Sequence, residues 1–344
     1  LSFTGEKMGN YDKYICTTLQ KRHMLPGPTP EERDKLAAEG LRISMEHVLW
    51  IDDEVIPGAY YGESTWIWPS SYPGQITMEE QLKRTTNPRP MFPHAHDFPE
   101  LLSWWGTDPD NPEDTDSWGM LMEDEIVPLE SSWVAYIPAG VLHMPVRGTG
   151  TKKTSRPVCH WTSGPGVYVR EKDEKSEKAE KLMKDLPKLI EKKPQELKYL
   201  KYFVMGGQKE PKRPDYLPQT DPKFTRHMAY IDNAVIPDAE FGCDTRWLLP
   251  GEKSKEGQLL IKAHTRPHGT SIVLNAMNYE DITDLCAEVE LWIGGEKHII
   301  NKSFGAYIPP DVEQGPLIIR NITKQIFLMI SYPIGEGIKK YRGG

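Results

Sequence analysis

The residues most suited to chemistry lie between Pro93 and Gly106, in the run PHAHDFPELLSWWG. Two histidines, His94 and His96, stand two positions apart, and a carboxylate, Glu100, comes four residues later. Side chains alternate faces along a strand, so residues i and i+2 project the same way. Glu100 shares the parity of the histidines if the segment stays extended. Two imidazoles and a carboxylate converging on one point make a site for a first-row transition ion. A third imidazole must come from elsewhere. The best candidate is His143, at the end of YIPAGVLH, just past an apolar strand and a tight turn.

Taken in order, HAHDFPE and PAGVLH resemble the two motifs of the cupin family, HxHxxxE and PxGxxH. The resemblance implies a metal-binding β-barrel in which His94, His96, Glu100 and His143 are the metal ligands. It also implies that Glu100 can leave the ion and act as a general base, as it does in some members of the family.

The elements that must position these residues are short strands. Val48–Asp52, Thr65–Trp68, Leu101–Trp105, Gly119–Met122, Trp133–Ile137 and Val158–Thr162 are β-branched or aromatic runs bounded by turn residues. Many short strands without intervening helices predict an antiparallel barrel or jelly roll. The pattern then recurs. IDDEVIPGAYYG at Ile51–Gly62 reappears as IDNAVIPDAEFG at Ile231–Gly242, and AYIP recurs at 135–138 and 306–309. Lys13-Tyr14-Ile15 is matched by Lys201-Tyr202-Phe203. Repeat coverage of nearly the whole chain resembles a bicupin: an all-β protein of two tandem double-stranded β-helix barrels. The expected division is residues 1–170 and 198–344. A charged helical linker at 171–197 joins them, with an apolar stripe at Leu182, Met183, Leu186, Leu189 and Ile190. Pro187 should kink or end that helix, and Pro194 should end any helical continuation beyond it. A shorter helix is expected from Pro30 to Gly40.

Parity places Trp104, Leu102 and Phe92 in the lumen with the ligands. An aromatic wall around a polar metal is the usual form of a small-molecule pocket. His160, on the last strand of the first barrel, is expected to support the site by hydrogen bonding. Met120 and Met122 are expected to be core. The acidic run 106–116 reads as a solvated rim loop, with a lid as the functional alternative. In the second half, aligning the repeats sets Lys262 at the place of His94, His264 at His96, His268 at Glu100 and Gln314 at His143. An ammonium there would repel a cation, so one metal per chain is expected, in the first half alone. Its identity stays open among iron, manganese, nickel, zinc, cobalt and copper, because affinity order does not select among them.

A chain of 344 residues with a net charge of −8 disfavours nucleic acid and anionic membrane as partners. No apolar run reaches the ~18 residues of a membrane helix. The four cysteines are far apart, without a CxxC pair, and LSFTGEKMGNYDKY has no apolar leader core. Reduced thiols and a cytoplasmic location are therefore expected. The expected partner is a small-molecule substrate, and the chain is expected to be a monomer or a homodimer. The resemblance implies a metal-dependent enzyme acting on an oxygen-bearing organic molecule, foremost a dioxygenase-like oxidoreductase. A cupin decarboxylase (lyase) or isomerase is the alternative, as is a non-catalytic holder of metal or ligand. A storage role is disfavoured by the intact ligand set.

Overall fold

Apolar runs punctuated by Gly, Pro and Asp become twenty strands in the computed structural model. It describes residues 9–341 except 23–24, 26–27, 70, 85–91, 148–152, 169–175, 192–196, 208–213 and 219–220. The first half contains β1 (Ile15–Cys16), β2 (Met45–Ile51), β3 (Tyr61–Ile67), β4 (Glu100–Gly106), β5 (Trp118–Met122), β6 (Glu125–Leu129), β7 (Trp133–Ile137), β8 (His143–Arg147) and β9 (Val158–Gly164). The second contains β10 (Phe203–Met205), β11 (Thr225–Ile231), β12 (Phe241–Leu248), β13 (Gln258–Ile261), β14 (His264–Thr265), β15 (Thr270–Ala276), β16 (Asp284–Ile293), β17 (Glu296–Lys302), β18 (Phe304–Ile308), β19 (Glu313–Arg320) and β20 (Ile326–Pro333).

The chain is all-β, with two jelly-roll sandwiches in tandem. A six-stranded sheet, β10-β7-β4-β9-β3-β2, faces the three-stranded β6-β5-β8. Its counterpart, β1-β18-β15-β20-β12-β11, accompanies β13-β19-β16-β17, with β14 beside β19. The two six-stranded sheets pack against each other through their outer faces. Trp66 stacks on Trp247 at 6.2 Å, Trp105 meets Phe327 at 6.4 Å, and Ser163 Oγ lies 3.1 Å from Ser331 Oγ. Strands buried on both faces lose the polar alternation of a half-exposed sheet. Hence every residue of β4 and β7 is buried.

The repeated Lys-Tyr segments explain how the halves are bound together. Each is a single 3-10 turn, Asp12–Tyr14 or Leu200–Tyr202, leading into an edge strand. β1 pairs with β18 through Ile15 and Ala306, and β10 pairs with β7 through Phe203 and Ala135. Both partners are the AYIP strands. Each half thus lends a strand to the other's large sheet and closes an edge that would otherwise offer free backbone groups.

Of the helices, α1 (Pro30–Ala38) starts at a Thr29–Glu32 capping box and stops before Gly40. A second, α2 (Met78–Arg84), is not anticipated from the sequence. The third, α3 (Glu177–Glu191), packs Leu182, Met183, Leu186 and Leu189 on Leu121, Ile126, Met144 and Val146 of the small sheet. Ile190, expected in the stripe, is exposed instead. Pro187 does not end this helix, which runs on to Glu191. The apolar stripe on both sides of Pro187 supplies packing that offsets the lost backbone hydrogen bond. Pro194 and residues 171–175 of the expected linker lie outside the described residues.

The repeat also fixes two glycines. A Cβ at Gly62 would come 2.6 Å from the Trp161 indole, and one at Gly242 would come 2.4 Å from the Ile231 carbonyl. Gly62→Ala and Gly242→Ala should each destabilise the protein by about 1–3 kcal/mol, as overpacking does. Urea unfolding checks this, and midpoints equal to wild type would contradict the packing described.

Candidate metal centre

Glu100 opens β4 and pairs with Ile137 at the end of β7. The chain then turns through Pro138-Ala-Gly-Val, where Gly140 adopts φ +79°, a conformation that glycine takes without strain. It returns at His143, the first residue of β8. His94 is not part of a longer strand. It forms an isolated antiparallel bridge with His143, in which His94 N donates to His143 O at 3.1 Å and His143 N to His94 O at 2.8 Å. Gly140 N donates to His96 O at 2.7 Å, so the glycine turn clamps the His-x-His segment directly. The chain bends at Asp97–Phe98 before β4 begins. The continuous strand expected for residues 94–100 is therefore broken, yet the side chains still converge.

One donor atom from each of His94, His96, Glu100 and His143 lies within 4.8 Å of the other three. His94 Nδ1 lies 2.9 Å from Phe92 O, and His143 Nδ1 lies 3.0 Å from Val141 O. Donating Nδ1–H to a carbonyl fixes the tautomer and leaves Nε2 as a lone pair. His143 Nε2 then faces Glu100 Oε2 at 2.9 Å, and His96 Nε2 stands 3.6 Å from the same oxygen. Two lone pairs at 2.9 Å repel unless a proton or cation lies between them. Glu100 and His143 are 2% and 0% exposed, so water does not relieve that repulsion. The residues present fit a divalent ion. The other carboxylate oxygen, Glu100 Oε1, is oriented by the Thr162 hydroxyl at 2.5 Å.

Charge favours the same arrangement. Burial, then the neighbouring His143, pushes the His94 imidazole from 6.5 down to about 3, with Glu100 partly opposing. Burial works against ionisation of Glu100. The imidazoles around it, His96 first, then His143 and His94, outweigh it and hold the carboxyl far below its ordinary range. An ionised carboxylate beside a neutral imidazole is the protonation state that metal binding requires.

The site borders a cavity of about 130 Å³. That approaches the ~150 Å³ space known to take a benzene ring. Its wall includes Phe92, His94, Glu100, Leu102, Trp104 and His160, so alternation along β4 puts Glu100, Leu102 and Trp104 on the inner face. His160 Nδ1 is 2.8 Å from Ser103 O. Met120 and Met122 are fully buried core. None of residues 107–116 lines the cavity. Their carboxylates are tied down instead: Asp114 to Arg156 at 3.0 Å and Asp110 to Arg226 at 2.8 Å.

Cavity residues not anticipated from the sequence include His47, Glu63, Thr162 and Tyr168. Tyr168 stacks on Tyr61 at 4.9 Å and lies 5.2 Å from the His96 ring. The signal that could find the first two is polarity inside otherwise apolar strands. His47 sits in MEHVLWI and Glu63 in YGESTWI, where a buried strand would hold neither without a use.

The second half departs from the alignment made on sequence. The ladder pair His264–Gln314 reproduces the bridge His94–His143, and Thr270–Ile308 reproduces Glu100–Ile137. His264 therefore stands at the place of His94, Arg266 at His96, Thr270 at Glu100 and Gln314 at His143. Lys262 is exposed and His268 precedes β15, so neither holds the position expected for it. Alignment of residue identities slips by two positions because only backbone pairing marks the register here. Arg266 is 7% exposed. Its guanidinium lies 4.4 Å from the Tyr216 ring and 4.1 Å from Tyr332, and its Nε is 3.3 Å from His264 Nε2. Gln314 Nε2 is 2.9 Å from the same imidazole nitrogen. A fixed cation stands where a ligand would be needed.

Thr162→Val, which removes the hydroxyl on Glu100, should lower metal affinity about 10–100-fold, measured by competition with a chelator. Unchanged affinity would contradict the orienting role. For the metal-free chain, His94 has a folded pKa below its unfolded value. Between about 3 and 6.5 the unfolded chain thus binds a proton that the folded chain does not. Stability should fall as pH is lowered from 6.5, and His94→Gln should flatten that slope. Melting temperatures from neutral pH down to about 5 test this; an equal slope in both proteins would contradict it.

No protein-family model matches the chain, and no curated protein sequence matches it. Among solved structures it is similar to AerE from Microcystis aeruginosa, with 12% identity, 90% of this chain and 98% of that one covered, and a TM-score of 0.43. It is also similar to a Lactobacillus farciminis oxalate decarboxylase formate complex, with 12% identity, 83% and 80% covered, and a TM-score of 0.44. A third is Bacillus subtilis oxalate decarboxylase, a protein with Mn(II) centres, at 11% identity, 83% and 71% covered, and a TM-score of 0.43. By its own strand order, its internal repeat and its His-His-Glu-His cluster, the chain resembles a bicupin whose second half has exchanged the ligand set for a buried guanidinium.

Proposed function

We propose that this protein is a metal-dependent enzyme acting on a small oxygen-bearing organic molecule with a flat, largely apolar body. The observation that supports it is the apposition of Glu100 Oε2 and His143 Nε2 beside an aromatic cavity. His94, His96, Glu100 and His143 would hold one divalent transition ion. Bound there, it would supply Lewis-acid stabilisation of developing oxyanion charge, or redox chemistry with dioxygen. The chain's own part is to bind and orient. Trp50, Trp104 and Trp118 form apolar walls that exclude water, and Thr162 fixes the carboxylate. A purely structural ion would want a closed surround, so the adjoining cavity favours turnover. The second half would carry no metal.

The reaction we favour is dioxygenase-like oxidation. No Arg or Lys is among the described residues lining the cavity, which disfavours a small dicarboxylate such as oxalate. A second reading, proton transfer without dioxygen as in a lyase or isomerase, is favoured by His47 and Glu63 in the same wall.

Elemental analysis of the purified protein should give one transition metal per chain, and His143→Ala should lose it. Dioxygen uptake should follow addition of a catechol, a hydroxybenzoate or a β-diketone, and not of oxalate. Absence of metal from the wild-type protein would contradict the reading. Metal without uptake on any of these would move it to the second.

A further inference from the structure

Two buried ionisable residues on the cavity wall belong to no part of the ligand set. His47 of β2 is 2% exposed, and its Nδ1 lies 2.7 Å from Glu63 Oε1 and 3.2 Å from Thr65 Oγ1. Glu63 also accepts a hydrogen bond from the Tyr61 hydroxyl at 3.2 Å. The other ring nitrogen, His47 Nε2, is buried and has no hydrogen-bond partner among the described residues, and both residues line the cavity.

Burial opposes ionisation of Glu63, but pairing with His47 at 2.7 Å, helped by His160 and the Tyr61 hydroxyl, outweighs it and holds the carboxyl below its ordinary range. An ionised Glu63 accepts Nδ1–H and fixes the tautomer, so the lone pair of the imidazole is on Nε2. A buried polar atom left unsatisfied is costly. His47 is paired at Nδ1 alone and lines the cavity, which leaves Nε2 for a group bound there. The same order of groups, carboxylate, imidazole, then reacting proton, is what a positioned general base requires.

We propose that Glu63 and His47 form a proton-transfer pair. The substrate class is then a molecule with an acidic O–H or C–H next to a metal-binding oxygen: an enol, a β-dicarbonyl or a phenol. This rests on the metal-dependent function proposed for the site. In the step, His47 Nε2 takes the proton. The electron pair of the broken O–H or C–H bond stays on the substrate as phenolate or enolate. Nδ1–H keeps its bond to Glu63, whose charge offsets the new imidazolium. No oxidant is consumed. Returning the proton to a different carbon completes a double-bond shift. The ionisable groups around His47 are Glu63 and Tyr61 on β3, His160 on β9, and Glu46 on β2 with Arg33 of α1 beside it.

The test uses zinc-loaded full-length protein and acetylacetone, with enolate formation followed by stopped-flow ultraviolet absorption, and with zinc per chain and melting temperature measured on every variant. Wild type should form enolate faster than buffer. His47→Ala should slow it about 10²–10⁴-fold at unchanged zinc content, with partial rescue by added imidazole. Glu63→Gln should move the acidic limb of the pH–rate profile to lower pH, since the imidazolium then lacks its carboxylate. A wild-type rate in His47→Ala would overturn the proposal. So would fully zinc-loaded wild type that is no faster than buffer. Should His47→Ala not fold, an unmoved limb in Glu63→Gln overturns it alone. Failure of the wild-type chain to take up zinc is a separate result: it removes the metal centre, and this proposal with it.

Discussion

The approach of Glu100 Oε2 to His143 Nε2, 2.9 Å apart and screened from solvent, is the constraint around which the first half is built. Both atoms carry lone pairs when His143 keeps its proton on Nδ1 and donates that N–H to Val141 O. Buried charge without a partner costs several kcal/mol. The sheet nevertheless holds the two together. Glu100 is anchored by the β4–β7 ladder, and His143 by the turn at Gly140 and the bridge to His94. Such a scaffold imposes a positive charge on the gap between them.

The second half lacks that demand and fills the equivalent place from within the chain. Its backbone repeats the pairing, but Thr270 brings no charge where Glu100 stands, and Arg266 brings its own. The guanidinium is sandwiched between two tyrosine rings, with His264 and Gln314 hydrogen-bonded nearby. One framework therefore supports two solutions: a cation supplied from solution in the first half, and a covalently attached one in the second. The exchanged strands β1 and β10 and the stacked tryptophans Trp66 and Trp247 tie these halves into one body.

Much of this is legible in the sequence because β-structure has period two. Glu100, Leu102 and Trp104 fall on one face, as alternation requires, and the repeated AYIP strands mark equivalent positions. The class of fold follows from those regularities, and the four clustered side chains follow from the HAHDFPE and PAGVLH motifs rather than from parity, since the strand expected over 94–100 is broken. Register does not. Residue identity alone sets Lys262 at the place of His94, because it has no access to the ladder, which pairs His264 with Gln314. The His47–Glu63 pair is equally hidden, since β2 and β3 meet only through pairing irregular at His47–Leu49. Pro187 does not end its helix for another reason: packing of α3 on Leu121 and Met144 outweighs a local preference.

X-ray absorption spectroscopy of the metal-loaded protein tests the central claim most directly. The account predicts an inner shell of nitrogen and oxygen scatterers with the outer-shell signature of three imidazole rings, lost together when His143 is replaced. A shell of oxygen alone, or one containing sulfur, or an imidazole signal that persists without His143, would contradict it.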